Sequence, residues 1–153
     1  MIEKRNYQIY LIDERIVDYY ISREWMFFNL FQDYAQSKGE NARILGKQIE
    51  YITNNIPVKT LKQTLEEHLY YNKNIYNMNG LYYVITKGKN QKMKSSAQLE
   101  IHNRVLHISS EGSYDAETVF FECLRKCENC FLAIDLVHER YGWLKPIKQR
   151  NFI

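Results

Sequence analysis

The residues best equipped for chemistry are three cysteines, Cys123, Cys127 and Cys130, spaced C-x3-C-x2-C. Three thiolates at that spacing can hold a four-iron cluster and leave one iron open, provided that a loop presents them. The flanking residues argue for a helix instead. Asp115 stands where an N-cap belongs, Glu117 suits a first turn, and Arg125 with Lys126 suits a last turn, so a helix is predicted over 115–127. Cys123 and Cys127 then lie on that helix, and the three sulfurs cannot meet without unwinding its end. Small soft side chains filling the space beside a sheet are the better reading. His102, His107 and His138 supply no C-x2-C with H-x3-H spacing that would complete a zinc site. Asp135, His138 and Glu139 follow a predicted strand, a place where acid and base groups gather, but no serine elbow and no phosphate-cradling glycine loop accompanies them. The expectation is a protein without catalytic activity, metal or cofactor.

Two basic stretches point to a different chemistry. Lys87, Lys89, Lys92 and Lys94 form one, and Arg140, Lys145, Lys148 and Arg150 form the other, each interleaved with residues that could stack on bases. A nucleic-acid-binding regulatory domain using this loop and C-terminal tail is therefore the alternative reading. Neither run is dense, and 21 Lys+Arg against 18 Asp+Glu leaves a net charge of only +3. A solvated loop and a tail docked by Tyr141, Trp143 and Phe152 fit that balance better. A binding surface is best argued on the first helix. Val17 and Ile21 form one i, i+4 row, and Ile16 and Tyr20 form the adjacent row. If the first row faces a sheet, Ile16 and Tyr20 face water and have the composition of an interface hot spot; the spacing equally allows one wide buried face.

These residues need a scaffold, and 153 residues at 45% hydrophobic and 14% aromatic can bury a continuous core. One domain spanning 1–153 is expected. Alternation predicts a central strand over 6–12, after which Asp13 caps a helix running to about residue 21. Ser22 is placed to cap a second helix through residue 36, with Met26, Phe27, Leu30, Phe31 and Tyr34 as its apolar stripe. Helices over 41–53 and 58–71 follow, then an asparagine-rich loop over 72–80. Strands are predicted over 81–86, 97–102, 105–109 and 131–136, the middle two forming a hairpin about Asn103 and Arg104. The fold class is α/β of the α+β type: a mixed sheet of about five strands, covered by helices mostly from the N-terminal half. The odd cysteine count, the lack of an apolar run of ~20 residues and the polar start lead to the expectation of a cytoplasmic protein.

Several segments are similar to one family. They are 31–34 (Phe-Gln-Asp-Tyr), 47–49 with 51–53, 114–118 (Tyr-Asp-Ala-Glu-Thr), 131–133 with Asp135, and above all Arg140-Tyr141-Gly142-Trp143-Leu144 running to Arg150-Asn151-Phe152. In order and over nearly the full length the chain resembles the sporulation inhibitor of replication family, SirA, more loosely over 54–100. The resemblance implies a non-enzymatic inhibitor from endospore-forming bacteria that binds the N-terminal domain (domain I) of the replication initiator DnaA, with no cofactor, membrane or direct nucleic-acid contact. It further implies that the contact surface falls on Ile16 and Tyr20 of the first helix and on Gln48 and Tyr51 of a later one. Ile16 stands where the family carries an aromatic residue.

Overall fold

The computed structural model describes residues 3–147. The chain opens with β1 (Lys4–Ile12), then runs α1 (Glu14–Tyr19), α2 (Glu24–Gln36), α3 (Gly39–Ile52), the two-residue β2 (Thr53–Asn54) and α4 (Val58–Tyr71). The second half holds β3 (Ile75–Met78), β4 (Leu81–Lys87), β5 (Met93–Ile101), β6 (Leu106–Gly112), α5 (Asp115–Cys127), β7 (Phe131–Asp135) and β8 (Arg140–Trp143). The strands make one sheet in the order β3-β4-β5-β6-β1-β7-β8, with β2 pairing to β1.

The class is α+β, as expected, and β1 is an interior strand. The sheet departs from expectation in two respects: among the described residues it has eight strands rather than about five, and every ladder is antiparallel rather than mixed. The additional strands are short or unusual in composition. Ile75–Met78 lies in the asparagine-rich segment, where Asn79 and Gly80 take positive φ of 54° and 83° and form the tight turn into β4. β8 begins at an arginine and contains Gly142, yet Leu132↔Trp143 and Ile134↔Tyr141 place its aromatic residues in register with apolar residues of β7.

Side-chain alternation along β1 divides the core between the two faces of the sheet. Ile9 and Leu11 join Phe131, Leu61 and Leu65 of α4, and Phe120 and Leu124 of α5. Ile12 points the other way, to Leu132, Ile134, Val17 of α1, Phe27 and Phe31 of α2 and Ile49 of α3. Three helices from the N-terminal half therefore form a layer of their own over β1, β7 and β8.

Capping follows expectation at one helix and departs from it at two. Asp13 accepts the Arg15 amide at 2.9 Å and starts α1. Ser22 does not cap α2: it turns the chain with φ 69°, its amide donates to Glu24, and Arg23 holds the N-cap position. At α5 the N-cap is Tyr114 in helical conformation, so Asp115 is the first helical residue and pairs instead with Lys94 at 2.6 Å.

Candidate functional site

Each of the four residues singled out from sequence reaches the surface by a definable route. In α1, Val17 is buried and anchors the helix, while Ile16 and Tyr20 beside it are half-buried. Tyr20 is the C-cap, its amide shared between the carbonyls of Ile16 and Val17, and its ring meets Phe27 edge to face at 5.4 Å. In α3, Ile49 faces the core, whereas Gln48 is exposed and Tyr51 is 77% exposed.

The fold brings these positions together. Ile16, Tyr20, Gln48 and Tyr51 all line one open groove of about 660 Å³ between α1, α2 and α3. Phe27, Met26 and Leu30 contribute its α2 wall, and Ile44 and Ile52 extend the α3 wall, while Arg43 and Lys47 stand with Gln48 as polar lining. Residues 44, 47, 48, 51 and 52 recur at helical spacing, so α3 offers one continuous stripe to the groove. Its far end is tied to the sheet side by Arg104 of the β5–β6 hairpin, which donates to the carbonyl oxygens of Glu50 and Thr53 at 2.8 Å each.

Met26 and Leu30 were expected on the apolar stripe of α2, and their position in the groove is new, as is that of Ile44 on α3. The available signal was the width of the apolar face on α2. Phe27, Phe28 and Phe31 already face inward, Phe28 stacking on Tyr141 at 5.4 Å, which leaves Met26 at 38% exposure and Tyr34 at 41%. Ile44 is likewise 45% exposed. The helix layer carries more apolar side chains than the sheet covers.

The other candidates lie elsewhere. Cys123 is buried, Cys127 and Cys130 are half-buried, and all three are free thiols. Burial pushes the Cys123 thiol up to about 11 and raises the other two, so none is poised as a thiolate. Among the described residues no group of three or more His, Cys, Asp or Glu side chains is placed to hold a metal ion. The Asp135 carboxylate is buried and accepts from Arg140 at 2.7 Å, from His138 Nδ1 at 2.9 Å and from the His138 amide at 3.2 Å. It therefore pins the β7–β8 turn. Of the basic tail, Lys145 donates to Asn129 at 2.9 Å, and Lys148, Arg150 and Phe152 lie outside the described residues. No helix among the described residues is long and apolar enough to cross a membrane.

These features define a small α+β protein that carries an apolar, polar-rimmed groove on a three-helix layer. The family model described as sporulation inhibitor of replication protein SirA matches residues 5–148, and the chain belongs to that family. It is similar to the sporulation inhibitor of replication protein SirA of Bacillus subtilis (strain 168), being 41% identical over 152 residues that cover 98% of this chain and 99% of that protein.

Proposed function

We propose that this protein inhibits the initiation of chromosome replication during sporulation by binding the N-terminal domain of DnaA through the groove between α1, α2 and α3. Family membership and the name of the Bacillus subtilis relative support the process. The observation that carries the site is the convergence of Ile16 and Tyr20 with Gln48 and Tyr51, about thirty residues away in sequence, on one concave surface.

The chemistry of that surface suits recognition by occupancy. An apolar ridge on the partner would enter between Tyr20, Ile44 and Ile52, exchanging water for carbon contact. Tyr20 and Tyr51 supply rigid amphipathic rings, and Gln48 supplies an amide that can donate and accept to fix orientation. An interface of ~1,200–2,000 Å² would be enough to cover the initiator's own contact surface, so inhibition is steric and requires no catalytic step. Such a partner places the protein in the cytoplasm.

The test is co-elution with the isolated N-terminal domain of DnaA, followed by affinity measurement. Tyr20→Ala should cost ~2 kcal/mol or more of binding. Because its ring also packs on Phe27, that variant should lose some stability as well, on the order of 0.5–1.5 kcal/mol for the aromatic pair. Tyr51→Ala separates the two effects: at 77% exposure its removal should leave melting unchanged while weakening binding. Wild-type affinity in both variants would remove the groove from the mechanism.

A further inference from the structure

The ring of Tyr20 meets one ring of its own helix, Tyr19, edge to face at 5.1 Å, but Tyr19 is 74% exposed and is not a buried support. α1 ends at Tyr19, and the chain then reverses through Ser22 with φ 69° before α2 begins. Phe27 fixes the ring, edge to face at 5.4 Å, and Phe27 is fixed in turn by Trp143 of β8 at 6.1 Å and 82°. Trp143 has a second hold on the same turn. Its indole Nε1 donates to Glu24 Oε1 at 3.4 Å, and that oxygen also accepts the Ser22 amide at 3.2 Å. Trp143 is not among the residues that line the groove. It belongs to the sheet, paired with Leu132 of the fully buried β7.

We propose that Trp143 is a positioning residue for the groove: from β8 it sets Phe27 and, with Glu24, the α1–α2 turn, and so fixes the orientation in which Tyr20 is presented. The bonds of the Tyr20 amide to Ile16 and Val17 hold its backbone but not its side-chain torsions, so the angle of the ring depends on what stands behind it. The sheet provides that backing. The partner named in the test rests on the function proposed above, whereas the positioning itself does not.

The experiment uses the full chain with ring-labelled tyrosine and has two readouts. The first is the Tyr20 aromatic resonance in the free protein, assigned by its loss in Tyr20→Ala. The second is affinity for the isolated N-terminal domain of DnaA, measured for Trp143→Leu in wild-type and Tyr20→Ala backgrounds. Trp143→Leu should shift the Tyr20 resonance and weaken binding about 10-fold, yet change affinity by less than about 2-fold once Tyr20 is absent, because coupled residues are non-additive. Trp143→Phe, which keeps a ring against Phe27 but has no N–H, should fold normally and show the same pattern at smaller amplitude. An unshifted Tyr20 resonance, with equal losses in both backgrounds, would overturn the proposal. If the wild-type chain does not bind at all, the partner assignment fails alone, and the resonance of Tyr20 still decides the positioning.

Discussion

Substituting Glu117 should destabilise the protein more than substituting any of the four proposed contact residues. Its side chain in α5 is 1% exposed and faces Arg5 of β1, whose side chain is 0% exposed. The carboxylate accepts from Arg5 Nε at 2.9 Å, from Arg5 Nη2 at 2.5 Å and from the hydroxyl of the half-buried Tyr7, so three donors depend on it, two of them buried. With Glu117→Ala the guanidinium keeps only the Ser113 carbonyl at 3.1 Å, the face of Tyr114 at 4.3 Å and a distant Glu3 at 3.8 Å. Breaking a buried pair from one side costs ~3–5 kcal/mol, because the remaining charge stays desolvated. For a chain of this length that lowers the melting temperature by about 6–20 °C. The charge-free pair Arg5→Met with Glu117→Leu should recover most of the loss, since filling the site with carbon removes the stranded ion. Calorimetry on the two single variants and the double variant measures the cycle. A Glu117→Ala shift under about 2 °C would mean that the ion is solvated, and the description of this core would be wrong. Affinity at the groove, which lies across the sheet, should be unchanged for the folded fraction of every variant.

Two further outcomes follow from local geometry. Burial alone would raise the Asp135 carboxyl, but the hydrogen bonds from Arg140 and His138 hold it below its ordinary value of 3.8. A lowered folded value means that its contribution is present above the ordinary value and lost as pH falls through the folded one. Urea titrations from about pH 5 to about pH 2 should thus show a steeper acid loss for the wild-type chain than for Asp135→Asn. Gly112 has φ 85°, and a Cβ there would lie 2.4 Å from the Lys94 carbonyl oxygen and 2.9 Å from the Ser95 Cα. Gly112→Ala should therefore cost about 2–4 kcal/mol by chemical denaturation, against about 1–2 for Gly39→Ala, which meets only the backbone penalty.

Elements with strong periodicity were legible in the sequence. β1 alternates, α4 repeats leucine at 61, 65 and 69, and the β5–β6 hairpin turns where Asn103 and Arg104 predict it. The misses share a physical cause. β3 owes its place to pairing with β4, its tyrosine at position 76 stacked on Tyr83 at 5.5 Å, so tertiary partners override a local composition that favours loops. The cap at α5 failed because Asp115 finds Lys94 on a neighbouring strand, and no local rule can anticipate a partner twenty-one residues away. The mixed sheet was inferred from helices lying between strands; α5 does connect two strands of the same sense, β6 and β7, but β1 lies between them and pairs antiparallel with both, so no parallel ladder forms.

The site was legible in kind but not in shape, and the reason lies in how a helix layer meets a sheet. Spacing in α1 allowed either exposure or burial for Ile16 and Tyr20, and the structure gives neither in full: both are half-covered. Phe27 reaches the sheet through Trp143 while its other side meets Tyr20, so the same ring closes the core and forms the groove wall. Periodicity assigns residues to faces of one helix; a concave surface is instead a property of the space between helices. Here that space is set by side chains of β8, a strand whose sequence contains a glycine and begins with a charge. A surface that depends on so remote a strand should weaken when β8 is altered even though none of the four proposed contact residues is touched, which a flat patch on a single helix would not do.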